Sequence, residues 1–231
     1  MTAQANVSIF NALKNGLIVS CQAFPGEPLF GPEFMVGMAR SALLGGAVGL
    51  RANGPVDIAA MRQALAVPII GLYKYDLPGY EVRITPTLKH ALAVAEAGAD
   101  IVALDATARP HPEQASLAQL ISGIHAATGK LVLADISSVD EAMAAVDAGA
   151  DAVSTTLSGY TPYSPQREEP DLDLIAALAA RLKAPVFAEG RIMTPAQARR
   201  ALEQGAFAVV VGTAITRPWL ITAAFVKGMK G

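Results

Sequence analysis

"GADIVALDA", residues 98–106, places a glycine, a small residue and a carboxylate before an apolar run that ends on a second carboxylate. Glycine there supplies the left-handed residue that closes a helix, and a short Ile-Val-Ala-Leu run reads as a strand buried on both faces. The opening recurs as "GAV" from Gly46, "GAD" from Gly98, "GAD" from Gly149 and "GAF" from Gly205, at intervals of 52, 51 and 56 residues. Each interval is the length of two strand–helix units.

Working outward from the repeat, β-rich runs occupy residues 17–22, 47–52, 68–74, 100–106, 130–136, 151–156, 185–190 and 207–212. Helical patterns follow at 32–45, 56–65, 86–97, 113–127, 138–148, 171–182, 195–204 and 218–229. Thr85-Pro86 and Thr194-Pro195 each read as a capping hydroxyl before proline at the first helical position. An open doubly wound sheet shares this alternation, but eight regular units in 231 residues fit an α/β fold of the single-domain (β/α)8 TIM-barrel type. One domain is expected over residues 1–231, with 1–16 an N-terminal segment preceding the first strand.

Composition narrows the function classes. With 52% hydrophobic and 16% charged residues the chain can bury a large core without staples. A formal net charge of -2 and the lack of any long single-sign run argue against a nucleic-acid surface or a polybasic membrane anchor. Cys21 is the one cysteine, so neither an internal disulfide nor a cysteine cluster for zinc can form. The N-terminus lacks a basic start followed by an apolar core, and no run is long enough to span a bilayer; a reducing, cytoplasmic setting is expected.

In this barrel class, chemistry sits at the carboxyl ends of the strands. Gln22, Arg51, Lys74, Asp105, Asp135, Thr155 with Thr156, Glu189 and Gly212 fall there. Asp100 and Asp151 lie at the opposite ends, inside the repeated "GAD", and read as carboxylates that tie down loop amides. Lys74 follows the apolar stretch "VPIIGLY" (67–73). Alone it reads as a strand-end lysine reaching for water.

The ends of the last two strands add "AEGR" with Gly190 and Arg191, and "VVGTAITRP" with Gly212, Thr213 and Arg217. Small residues let backbone amides approach an anion and arginine can grip two oxygens, which reads as a phosphate site; a plain turn before the last helix is the alternative. His90 and His125 fall in helical patterns and His111 in the "ARPHPE" loop, all read as solvated. No metal constellation is expected, a carboxylate-only magnesium site on Asp105 and Asp135 being the one alternative.

Taken in order, "GLIVSCQAFPGEPL", "GAVGLRANG", "ITPTLKHA", "ADIVALDATARP", "LADIS", "TTLSGYT", "AEGRIMTPAQA" and "VVVGTAITRP" resemble the N-acetylmannosamine-6-phosphate 2-epimerases of sialic acid catabolism, over residues 16 to 222. The resemblance implies cofactor-free interconversion of N-acetylmannosamine 6-phosphate and N-acetylglucosamine 6-phosphate by deprotonation and reprotonation at C2. It makes Lys74 and Glu189 catalytic, and Gln22, Arg51 and Asp135 substrate-contacting, with Thr155 beside them at its strand end. Arg217, with the amides of Gly190, Arg191, Gly212 and Thr213, would hold the 6-phosphate. It also implies a homodimer through the last helix. Tyr75 stands where the family often has a basic residue, and the segment "FGPEF" (30–34) is more apolar than its relatives'. A Schiff-base phosphosugar aldolase or lyase, and a non-catalytic phosphosugar-binding barrel, are the alternative readings.

Overall fold

In the computed structural model, which describes residues 3–114 and 116–230, the four repeat glycines all take a left-handed φ, 96° at Gly46, 105° at Gly98, 101° at Gly149 and 95° at Gly205. Around Gly98, the glycine N–H donates to Ala95 O and the Ala99 N–H to Val94 O; Gly46, Gly149 and Gly205 make equivalent pairs. The last helical carbonyls are thereby satisfied and the chain turns into the next strand. Asp100 accepts from the Ile69 N–H at 2.9 Å and Asp151 from the Val132 N–H at 2.8 Å, so both carboxylates tie down an amide of the preceding strand rather than the loop amides expected.

Eight parallel strands close in sequence order, with β1 (Leu17–Cys21) pairing both β2 (Gly49–Asn53) and β8 (Ala208–Val211). Between them run β3 (Ile69–Leu72), β4 (Ile101–Asp105), β5 (Leu131–Asp135), β6 (Ala152–Ser154) and β7 (Val186–Glu189). An N-terminal helix, α1 (Ala3–Leu13), precedes β1, and the outer layer begins with α2 (Pro32–Leu44), α3 (Pro55–Ala64) and α4 (Leu88–Glu96). It continues with α5 (Leu117–Thr128), α6 (Val139–Asp147), α7 (Leu172–Arg181) and α8 (Pro195–Glu203), then the short α9 (Thr213–Thr216) and α10 (Pro218–Met229).

Side chains alternate across each strand. Ile18, Ile70, Leu72, Ile101, Leu133, Phe187 and Val210 fill the barrel interior, while the opposite faces pack beneath the helices. Each fully buried Leu, Ile or Phe contributes about 1.5–3 kcal/mol relative to exposure, so the interior is a packed floor rather than a channel.

Three further expectations need correction. Residues 1–16 precede the first strand as an N-terminal segment for which no helix is expected, whereas Ala3–Leu13 form α1, whose Phe10 and fully buried Leu13 close the amino end of the barrel against Phe187, Phe207 and Val48. Gly49 carries no side chain because Leu13 sits where a Cβ would stand, 2.5 Å from it. Thr194 caps α8, in a reciprocal pair with Gln197, but Thr85 caps nothing. It is buried at a φ of 48°, donates to Ala103 O at 2.6 Å and accepts from the Tyr73 N–H, and α4 starts only after Thr87. Third, the pattern at 113–127 splits: Pro112–Gln114 form a 3-10 turn, and α5 begins at Leu117 behind the Ser116 cap.

Candidate active site

Continuing the inward-facing set one layer above the apolar floor gives Ser20 and Gln22, Arg51, Lys74, Asp105, Asp135, Ser154 and Thr156, Glu189 and Gly212. All lie at the carboxyl ends of the strands, and a cavity of about 730 Å³ opens among them, within the size range of small-molecule sites.

Arg51 forms the floor of the site. Its NH1 and NH2 donate to the two oxygens of Asp135 at 3.0 and 2.6 Å, and NH1 lies 2.8 Å from Glu189 Oε2. Burial disfavours its charge, but the two carboxylates outweigh that and hold its proton more tightly than usual. Asp135 is fully buried and works through Arg51 rather than on the cavity. Removing Arg51 would leave the buried Asp135 and the largely buried Glu189 carboxylates without their shared counter-charge.

Lys74 lies two residues past β3, in an antiparallel bridge with Ile84, so the strand is shorter than the 68–74 expected. Asn53 Oδ1 accepts its backbone N–H, and its Nζ donates to Gln22 Oε1 at 2.8 Å while sitting 5.0 Å from the Phe24 ring centroid. Burial, followed by the Arg51 charge, lowers its pKa to about 8, against the opposing pull of Glu189 and Asp135. Glu189, 14% exposed, is raised above the ordinary carboxylate range, first by desolvation and against the attraction of Arg51.

Thr155 points out of the cavity. Its hydroxyl donates to Glu189 O at 2.9 Å and accepts the Glu189 N–H at 3.1 Å, which fixes the end of β7 to that of β6. The cavity receives Thr156 instead, 2.5 Å from Asp135 Oδ1 and 3.2 Å from Glu189 Oε2. The period-two count from Ala152 and Ser154 selects Thr156, a signal present in the sequence. The same count from Ser20 and Gln22 reaches Phe24, just past β1, which also lines the cavity.

On the opposite side of the mouth, no protein acceptor among the described residues meets the backbone N–H groups of Gly190, Arg191, Gly212 or Thr213. Gly190 has φ 111° and Arg191 φ 55°, a left-handed pair held by the Arg191 guanidinium, which donates to Ser158 O at 2.7 Å and Glu169 O at 3.2 Å. The Arg191 side chain is thus committed to backbone, leaving its amide free. Arg217 pairs with Glu27 and lies over the rings of Phe24 and Trp219.

Asp105 spends its oxygens on Thr107 and Arg109, as Asp135 does on Arg51 and Thr156, so the two carboxylates do not converge on a shared cation. Among the described residues no group of three His, Cys, Asp or Glu side chains is arranged to hold a metal. The histidines are not simply solvated. His125 pairs with Asp151 at 2.9 Å, His90 stacks on Tyr73 and Tyr75, and both ring nitrogens of His111 are buried without a partner. Tyr75 packs on His90, 4.7 Å between centroids, and does not line the cavity.

A closed (β/α)8 barrel carrying a buried amine of lowered pKa, a carboxyl of raised pKa and an arginine between two carboxylates defines a barrel enzyme equipped for proton transfer. Comparison with known proteins names the family. The family described as "Putative N-acetylmannosamine-6-phosphate epimerase" matches residues 35–231. A relative from Caldanaerobacter subterraneus, described as a "Putative N-acetylmannosamine-6-phosphate 2-epimerase", is 51% identical over 97% of this chain and 95% of its own. One from Cutibacterium acnes under the same description is 49% identical over 94% and 95%. The solved N-acetylmannosamine-6-phosphate 2-epimerase of Clostridium perfringens superposes with a TM-score of 0.92 at 43% identity, covering 94% of this chain and 95% of that one. The chain belongs to the N-acetylmannosamine-6-phosphate 2-epimerase family.

Proposed function

We propose that this protein interconverts N-acetylmannosamine 6-phosphate and N-acetylglucosamine 6-phosphate by moving the proton at C2 of the open-chain sugar. In that form C2 adjoins the C1 aldehyde, so its C–H is acidified and loss of the proton gives an enolate that can be reprotonated on either face. The Lys74 amine carries this reading: it is desolvated, oriented by Gln22 at 2.8 Å and titrates at about 8, low enough to act as a base near neutral pH.

Lys74 takes the C2 proton, and the Arg51 charge beneath it stabilises the developing negative charge on O1. Glu189, able to hold a proton because its pKa is raised, shuttles protons between O1 and O5 to open the ring. The 6-phosphate displaces the Glu27 carboxylate from Arg217 and accepts from the free amides of Gly190, Arg191, Gly212 and Thr213. An NMR assay started from either phosphosugar, with nothing else added, tests the proposal. Appearance of the other epimer, with deuterium at C2 when run in deuterium oxide, is expected; recovery of unchanged, unlabelled sugar would refute it.

The pH dependence follows from the sign of the Lys74 shift. The base acts only when neutral, so kcat/KM should fall about tenfold per pH unit on going below a bend at about 8. A flat profile down to about pH 6 would remove Lys74 from the role of base.

The working unit we infer is a homodimer built on α10. That helix buries none of its own residues and exposes Trp219 (50%) and Phe225 (71%), while each of α2 to α8 carries buried apolar positions. An apolar groove of about 450 Å³ lies open over β1 and β8, lined by Leu17, Val209, Val211, Ala214 and Ile215. The barrel faces that α10 leaves bare are thus matched by a helix that buries none of its described residues, and a second copy supplies the missing cover. Sedimentation should give a dimer for the wild type and a monomer for Phe225→Lys; a monomeric wild type contradicts the assembly.

A further inference from the structure

Glu189 has to lose and regain a proton in each turnover, yet it sits against a carboxylate and an arginine. The charged groups facing it are Arg51 from β2, Lys74 beyond β3 and Asp135 from β5; the neighbouring β8 contributes only Val210 and Gly212 on that side. Beside the Arg51 NH1 that bridges the two carboxylates stands a hydroxyl pair. Thr156 Oγ1 is 2.5 Å from Asp135 Oδ1, 3.2 Å from Glu189 Oε2 and 2.8 Å from Ser154 Oγ, which itself is 3.5 Å from Glu189. A threonine hydroxyl carries one proton and can donate to only one of these oxygens at a time.

We propose that Thr156 is the positioning residue for the Glu189 proton, its hydroxyl turning from Asp135 to Glu189 each time Glu189 ionises. In the arrangement present here the short contact goes to Asp135, and the longer one to Glu189 Oε2, the oxygen that Arg51 NH1 also meets at 2.8 Å. When Glu189 gives its proton to a sugar oxygen, its new negative charge competes for the Thr156 proton. A rotation about one side-chain bond then moves the donor bond to Glu189, and Asp135 keeps both of its bonds from Arg51. Only hydrogen bonds change; the transferred proton resides on Glu189 or on the sugar throughout. The backbone stays still because Thr155, the adjacent residue, is tied to both the N–H and the carbonyl of Glu189.

This deepens the proposed epimerase reading and rests on Glu189 acting as its proton carrier. Thr156→Val removes the hydroxyl at nearly constant volume, and a hydrogen bond to the ionised form of a carboxylate lowers its pKa. In wild-type protein without substrate, the Glu189 side-chain carbon, assigned by its loss in Glu189→Gln, is titrated by carbon-13 NMR. Thr156→Val should raise that titration by about one pH unit and lower kcat about tenfold with KM within about twofold. Thr156→Ser, which restores the hydroxyl, should return both values to those of the wild type. An unmoved titration, or a failure of Thr156→Ser to restore it, overturns the assignment even if kcat falls. Should the valine variant not fold, Thr156→Ala removes the same hydroxyl and is read by the same criteria. The substrate-free titration separates the two claims: a shifted Glu189 in a protein that does not epimerise either phosphosugar would leave Thr156's role intact and defeat the epimerase reading.

Discussion

Lys74→Ala is expected to lose epimerisation by about 10²–10⁴-fold while still binding the 6-phosphosugars measurably, since a positioned general base contributes on this order. The loss falls on kcat, because the amine meets C2 only as the proton moves, whereas the proposed phosphate contacts lie across the barrel mouth and stay intact. Fold stability should hold. The backbone N–H bond from Lys74 to Asn53 and the bridge to Ile84 do not involve the side chain. Substantial turnover in this variant would refute the assignment of the base. Borohydride treatment with substrate should leave wild-type Lys74 unmodified; covalent labelling there would shift the chemistry to the Schiff-base alternative.

Glu189→Gln is expected to reduce kcat by about 10²–10⁴-fold, the range for loss of one general acid–base group. Glutamine keeps the shape and an acceptor for Arg51 NH1 but cannot exchange a proton with the sugar. A second consequence identifies the electrostatics. Glu189 is one of the groups that hold the proton on Lys74, so its neutralisation should move the acid-side bend of the pH profile below about 8. A bend that stays in place, or moves upward, contradicts the coupling. Substrate offered already in the open-chain form should recover part of the rate if ring opening is the step that Glu189 serves.

Tyr75, which stands where the family often has a basic residue, is turned away from the cavity. Its ring lies tilted against His90, 4.7 Å away, and meets Tyr73 edge-on, 5.8 Å away, outside the cavity. Positive charge near Lys74 comes instead from Arg51 and, more weakly, from Arg83, which lies opposite Tyr75 where the Tyr75 N–H donates to Arg83 O. Residue 75 therefore leaves the lowering of the Lys74 pKa to burial and to Arg51.

Much of the molecule was readable from local rules. The four repeat glycines need a left-handed φ and the apolar runs between them need burial on both faces; each requirement acts over a few residues, and each is met, whereas the two "GAD" carboxylates find their amides 31 and 19 positions back, in the preceding strand. The carboxyl-end set Gln22, Arg51, Lys74, Asp105, Asp135 and Glu189 followed from where strands stop, and barrel closure brings those residues to one end. Where the local pattern was thin, the reading slipped: α1 was missed because its partners Phe187 and Phe207 lie far along the chain, and Thr85 looked like a cap until Tyr73 and Ala103 claimed its hydroxyl.

The sequence by itself determined the barrel, the ring of polar residues at its mouth and the family to which they belong, because strand period, helix closure and ordered motifs are written in neighbouring residues. The tertiary structure alone decided the partnerships within that ring: Asp135 buried behind Arg51, Thr156 rather than Thr155 in the cavity, Arg191 spent on carbonyls, and Phe24 laid over Lys74. The physical reason is reach. A side chain's choice among acceptors at 2.5–3.2 Å depends on which strands close beside one another and how far each rises, and residues such as Arg51 and Asp135, 84 positions apart, carry no local mark of their meeting.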